Sequence, residues 1–290
     1  MENSLMFGNG LNRLSENSIS WDDLLLRLKG SNGFNHEGLP NTMTYEKIFL
    51  DRGKSSLENE LYVKNEIAKA MKDIESNEFY ERLIGLEFNN YLTTNYDYAF
   101  AKSIDIDRTH VNSEKIYSLR RYSPCSKNNA QLKLWHIHGE INHPKTIQLG
   151  LDHYCGSIGK IDSYIKGGYE YSMYGEKTNK SLHIADKLKN DSFDGVSWVE
   201  LFFNTNVHIL GMGMDYSEID LWWVLTKRAR LSIEHGVQNK IIFYAYECEQ
   251  DKKKLLESLK VEVRIFRNED NNSYRAFYQK AIDEISKFNN

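Results

Sequence analysis

Four short stretches of the 290-residue chain bring together residue types that can do chemistry. His138 closes the run Leu132-Lys133-Leu134-Trp135-His136-Ile137-His138 and precedes Gly139. Its imidazole suits proton abstraction near neutral pH, because the unperturbed pKa of histidine is about 6.5. Asn95 and Asp97 stand where the β-prone Tyr91-Leu92-Thr93 gives way to polar residues, a place that serves ligand contacts and turn caps alike. Gly8-Asn9-Gly10 and Gly211-Met212-Gly213 each follow an apolar run. Glycine there lets the backbone approach a ligand, and it also makes a plain tight turn. Neither turn completes GxGxxG, since Arg13 and Tyr216 hold the third glycine positions.

A metal site is the competing reading of the histidines. His136 and His138 are two apart and share a strand face, with His143, His153 and Cys155 downstream. No carboxylate or thiol completes a recognised ligand spacing, so no metal is expected, and a metal-dependent hydrolase built on His136 and His138 is the third choice. Cys125, Cys155 and Cys248 are odd in number and far apart, which reads as free thiols. Trp222-Trp223 reads as core, and Lys252-Lys253-Lys254 as a solvated helix face.

The elements that must position these residues follow from the apolar periodicity. Leu5-Met6-Phe7 predicts a strand before the first glycine turn, and Ser20 to Leu28 a helix after it. Residues 31–44 read as loop, and Tyr45 to Ile84 as mostly helical with Gly85 as the stop. Strands are predicted to end near Thr93 and at His138, with a further short one over Thr146 to Leu149. Residues 152–196 carry little periodicity. Val207 to Leu210 predicts a strand, followed by the second glycine turn and a helix through Ile219 to Leu225. Lys240 to Tyr246 and Val261 to Phe266 read as strands, 249–259 and Ser273 to Phe288 as helices. Strands alternating with helices imply an α/β, doubly wound, mainly parallel sheet, with ligands beyond the carboxyl ends of its strands.

Composition bounds the class. With 37 Lys plus Arg against 41 Asp plus Glu, the net charge of −4 argues against a protein that works by binding nucleic acid. No stretch approaches a membrane span and Met1-Glu2-Asn3-Ser4 lacks the character of a secretion signal, so a cytoplasmic location is expected. Only three prolines occur and no linker-like tract separates two halves. One domain over 1–290 is expected, with helical insertions at about 31–85 and 151–196.

In order along the chain, Phe7-Gly8-Asn9-Gly10-Leu11-Asn12, Leu92-Thr93-Thr94-Asn95-Tyr96-Asp97, Trp135-His136-Ile137-His138-Gly139-Glu140 and Leu210-Gly211-Met212-Gly213-Met214-Asp215 resemble the motifs of the SIR2-like family. They correspond to its GAGxS turn, its T-x-N-x-D segment, its His-Gly pair and its late glycine turn, with Asn9 and Asn12 in place of the usual alanine and serine. The four-cysteine zinc module of the sirtuin deacylases has no counterpart, so the resemblance is to the zinc-free bacterial branch of NAD-degrading antiphage defence effectors.

That resemblance implies a Rossmann-like fold and an NAD glycohydrolase releasing nicotinamide and ADP-ribose, with NAD as substrate. Gly8, Asn9, Gly10 and Asn12 would cradle the phosphates and adjacent ribose, and Asn95 would hold the nicotinamide ribose or the attacking water. Asp97 would bind the carboxamide, and His138 would be the general base. Gly211, Gly213 and Asp215 would line the adenosine half. It also implies a separately encoded sensor, Argonaute-like or nucleotide-pyrophosphatase-like, in a homo- or hetero-oligomer that restrains a toxic activity. The alternative from another class is a non-catalytic subunit that binds NAD or ADP-ribose in the same crevice.

Overall fold

The structure, a computed structural model, describes residues 1–30, 34, 38–51, 56–106, 116–127, 130–172, 178–267 and 273–289. Parts of both expected insertions, 31–33, 35–37, 52–55 and 173–177, lie outside the described residues. The strands in chain order are β1 Asn3–Phe7, β2 Asn90–Thr93, β3 Asp105–Ile106, β4 Tyr122–Lys127, β5 Ala130–His136, β6 Glu170–Tyr171, β7 Asn179–Lys180, β8 Asn206–Leu210, β9 Ile241–Ala245 and β10 Val261–Ile265. The helices are α1 Asn9–Asn12, α2 Trp21–Lys29, α3 Asn41–Leu50, α4 Ser56–Met71, α5 Glu78–Ile84, α6 Leu151–Ile165, α7 Ile184–Asn190, α8 Leu201–Asn204, α9 Ile219–His235, α10 Gln250–Ser258 and α11 Tyr274–Ser286.

Eight strands form one sheet in the order β10-β9-β8-β1-β2-β5-β4-β3. The six from β10 to β5 are parallel, and β4 and β3 extend the edge antiparallel. Read from β5, the parallel part runs third, second, first, fourth, fifth, sixth along the chain, which is the Rossmann order. The chain winds one way from β1 and the other way from β8, so the topological switch lies between these two neighbours.

Why the sheet is covered on both faces can be read from side-chain alternation. Leu5 and Phe7 of β1, Tyr91 of β2, Leu134 of β5 and Ile242 and Tyr244 of β9 join one buried cluster with α2 to α5 and α11. Met6, Leu92, Trp135, Ile209, Ile241 and Phe243 point the other way, into a second cluster with α6 to α10. A strand buried on both faces needs apolar residues at successive positions, as in Leu5-Met6-Phe7 of β1 and throughout β9, while β8 admits His208, whose Nδ1 lies 3.0 Å from the Tyr244 hydroxyl.

Several boundaries differ from the sequence reading. Thr146 to Leu149 is not a strand: Pro144–Thr146 is a 3₁₀ turn in which Thr146 Oγ1 donates to His143 O at 2.6 Å and accepts from Glu140 N at 3.1 Å. Residues 41–44, read as loop, begin α3. The strand before His138 stops at His136, so His138 lies in the turn beyond it. Residues 151–165, of weak periodicity, form α6, whose first turn is tied down by His153 Nδ1 accepting from the amides of Leu149 at 3.1 Å and Gly150 at 3.0 Å.

Candidate active site

The two glycine turns meet at the switch point. β1 and β8 are register-paired from Asn3–Asn206 to Phe7–Leu210, so the turn after Phe7 and the turn after Leu210 leave the sheet side by side. Gly10 donates its amide to the Gly211 carbonyl at 2.8 Å, and Gly8 to that of Leu210 at 3.4 Å. A Cβ on Gly10 would sit 2.7 Å from Gly211 O and 2.7 Å from the Tyr278 hydroxyl, so glycine there is a requirement of close approach. Gly211 has φ +67°, in the left-handed region. Around Gly213 nothing lies within 4 Å of a Cβ position, and its backbone faces open space.

Above these turns opens a cleft of about 1160 Å³. Gly8, Asn9, Gly10, Gly211, Gly213 and Asp215 all line it, as do Arg13, Trp21, Thr94, Tyr154 and Glu218. Its volume is ample for a dinucleotide, compared with roughly 300–1,000 Å³ for ordinary small-molecule pockets. Arg13, at the vacant third-glycine position, and Lys252 give the cleft cationic groups beside the glycine backbone.

Asn12, Asn95, Asp97 and His138 lie behind the lining. Asn12 is buried and its carboxamide is fully occupied: Nδ2 donates to Asp97 Oδ2 at 2.6 Å and to Asn9 Oδ1 at 3.2 Å, and Oδ1 accepts from the Tyr80 hydroxyl at 2.5 Å. Asp97 takes a second donor, the Ala99 amide at 2.8 Å. Burial pushes its carboxyl pKa up, against these hydrogen bonds. Both residues thus pin the loop after β2. Asn95, on that loop, is 5% exposed and neither Nδ2 nor Oδ1 makes a well-formed hydrogen bond, although the Tyr80 phenol is near. A buried polar group without a well-formed hydrogen bond costs about 1–3 kcal/mol, so the site holds this carboxamide ready for a further polar contact.

His138 follows from the same register. β2 and β5 pair Thr93 with His136, so Asn95 and His138 each lie two residues past paired positions on adjacent strands. His138 is 1% exposed, its ring packs edge-on against Tyr154 at 5.1 Å, and Nε2 lies 3.0 Å from Asp220 Oδ2. Gly139, with φ +96° and the Thr146 carbonyl 2.2 Å from any Cβ, permits the sharp turn that follows. Burial alone would lower the His138 pKa, but the Asp220 charge, the hydrogen bond to it and the Glu218 charge outweigh burial and raise it above 6.5. Asp220 is held in turn by the Ser157 hydroxyl at 3.2 Å and the Leu221 amide at 2.9 Å.

Asp220, Ser157 and Glu218 were not singled out from the sequence. A signal existed: in α9 the buried positions are Asp220, Leu221, Val224, Leu225, Arg228 and Ala229, so Asp220 falls on the apolar stripe of its helix, where an acid needs a partner.

The two histidines of the metal reading take different partners, His136 the Ser123 hydroxyl at 3.0 Å and His138 the Asp220 carboxylate. Among the described residues no group of three or more His, Cys, Asp or Glu could hold a metal ion.

Comparison with family models supplies the deciding observation: residues 89–263, more than half of the chain, match the SIR2-like domain. The chain belongs to the SIR2-like domain family. SIR2-like domains use NAD as substrate, which agrees in kind with an NAD-dependent enzyme. No curated protein matches the chain. In this SIR2-like domain the matched stretch begins just before β2 and leaves out β1, yet β1 is hydrogen-bonded to β2 on one side and to β8 on the other. The first glycine turn therefore completes the site from outside the matched stretch. Among the described residues no helix is long and apolar enough to cross a membrane.

Proposed function

We propose that this SIR2-like domain is an NAD glycohydrolase, using water to cleave the bond between nicotinamide and ribose and releasing nicotinamide and ADP-ribose. The observation that carries the reading is the cleft into which both glycine turns open, with the Asn95 carboxamide and the His138–Asp220 pair buried behind its lining. Nicotinamide departs as a neutral molecule from an oxocarbenium-like ribose, and the demands of that step are orientation, a shielded cavity and a positioned proton acceptor. The glycine backbones with Arg13 would receive the diphosphate. Asn95 would bond the nicotinamide ribose or the water, and His138 with Asp220 would hold the charge and proton balance of the floor.

The burial of Asn95 and of His138, whose ring packs against Tyr154 of the cleft lining, supports an enzyme restrained until a change at the cleft wall. Together with the resemblance to the zinc-free defence branch, this supports a toxic antiphage effector gated by a separately encoded sensor, Argonaute-like or nucleotide-pyrophosphatase-like, in an oligomer. The same burial favours the second reading, a subunit that binds NAD or ADP-ribose without cleaving it.

One experiment separates them: incubation of the purified chain with NAD, alone and co-expressed with its genomic neighbours, with products followed by chromatography. Nicotinamide release, low alone and high in the assembly, is expected. Binding of ADP-ribose by calorimetry with no nicotinamide formed under either condition would replace the enzyme by the binding subunit. Asn95→Ala and His138→Ala should each abolish NAD loss in a folded chain, and full turnover in either would remove that residue from the mechanism.

A further inference from the structure

We propose that Glu218 is the substrate-facing general base of this site, a role that rests on the glycohydrolase reading above. The argument begins with access. His138 has almost no exposed surface, its Nε2 faces Asp220, and Tyr154 covers its ring. It is not among the residues that line the cleft, so in this arrangement the first acceptor that water or a ribose hydroxyl in the cleft meets is another group. Glu218 lines the cleft and is half-buried.

Its backbone fixes it in place. The Glu218 amide donates to Asp215 O at 3.1 Å, and its carbonyl accepts from Leu221 at 3.1 Å and Trp222 at 3.3 Å as the cap of α9. Two residues on, Asp220 holds His138, so one helix end carries both the cleft-facing carboxylate and the anchor of the buried imidazole.

The charges around Glu218 come from several elements: His138 from the turn after β5, Asp220 from α9, Asp215 from the loop after β8, and the phenols of Tyr96 and Tyr154. Burial pushes the Glu218 carboxyl up to about 7, with Asp220 and Asp215 adding to the rise and His138 opposing it. A base poised there is half-ionised near neutrality, which is where general-base catalysis works best. Asp215, the other acid on this loop that lines the cleft, is exposed and accepts from the Ser217 amide at 2.8 Å.

In the step assigned to it, Glu218 takes a proton from water as the water oxygen bonds to the anomeric carbon. The carbon–nitrogen bond breaks with its electron pair going to nicotinamide, and the proton then passes to solvent. Substrate and water are the sole reactants, and one proton is released per turnover.

The test uses Glu218→Gln and Glu218→Ala in the chain and in its active assembly, with wild type in parallel. Expected are a fall in NAD turnover of about 10²–10⁴-fold, retained ADP-ribose binding, loss of the acid limb near neutral pH, and partial rescue of Glu218→Ala by formate. Wild-type turnover and an unchanged pH profile in both variants would overturn the role while leaving the glycohydrolase intact. So would weakened ADP-ribose binding with normal turnover at saturating NAD, which would make Glu218 a binding residue. A wild type that releases no nicotinamide under any condition would overturn the function, and this role with it.

Discussion

Replacing Asp220 by asparagine should destabilise the protein more at acid than at alkaline pH. The carboxylate is buried 3.0 Å from His138 Nε2 and also accepts from Ser157 and Leu221. Asparagine keeps the shape and removes the charge. In the wild type the folded His138 pKa lies above 6.5, so the folded chain holds that proton more tightly than the unfolded chain. Stabilisation from the pair is therefore full below about 6.5 and fades as pH rises through the raised folded value. Without Asp220, burial dominates, the folded pKa drops, and the sign reverses: protonating His138 then favours unfolding. Removing one partner of a buried charged pair costs about 3–5 kcal/mol, which sets the acid-side penalty. At alkaline pH the imidazole is neutral, and the loss is that of a hydrogen bond to a charged group, about 1.5–3 kcal/mol. Urea unfolding of both proteins at about pH 5.5 and about pH 9, on either side of the histidine range, measures the difference. A penalty equal at the two pH values, or larger at the alkaline one, would refute the charged-pair account. Turnover of NAD should also fall in the variant, because the imidazole loses the group that fixes its tautomer.

Other substitutions probe the rest of the architecture. Gly10→Ala should cost about 1–3 kcal/mol in a denaturant titration, because its Cβ would lie 2.7 Å from both Gly211 O and the Tyr278 hydroxyl, whereas Gly213→Ala should stay within about 0.5 kcal/mol of wild type. Equal effects would mean that the turns do not interlock. Lys187→Met should cost about 3–5 kcal/mol by leaving the fully buried Glu200, which also accepts from Tyr164 at 2.7 Å and Gly195 at 2.8 Å, without its cation. Adding Glu200→Gln should recover part of that loss, and no recovery by thermal or urea unfolding would argue against an uncompensated charge as the cause.

Much of the fold was legible because the central parallel strands are buried on both faces, which writes short apolar runs into the sequence, two of them followed by glycine turns. β1, β8 and β9 were readable for that reason, and α2 through its Ser20 cap, whose Oγ accepts from the Asp23 amide at 3.0 Å. What failed was decided by contacts distant in sequence or by single side chains. β4, an unread antiparallel strand with Pro124 inside it, exists through its pairing with β5. The first turn of α6 is organised by His153, whose Nε2 lies 2.7 Å from Glu60 of α4, 93 residues away. At the site, Asn95 and His138 drew attention because polar residues at the ends of predicted strands are conspicuous. Asp220 sits in the first turn of α9, where an acid is the ordinary complement to the helix dipole, and Glu218 caps that helix; the hold of Asp220 on His138 appears only once α9 is docked.

The sheet also explains why the site depends on register. Both glycine turns leave from neighbours paired over five residues, and Asn95 and His138 leave from neighbours paired over four. Shifting any of these strands by one residue would exchange the faces of every side chain on it, sending Met6 to the cluster that holds Leu5 and Phe7. The apolar alternation that forbids the slip also aligns the four strand ends. Precision at the cleft is thus set by the core beneath it, while the polar residues of the loops decide only what is held there.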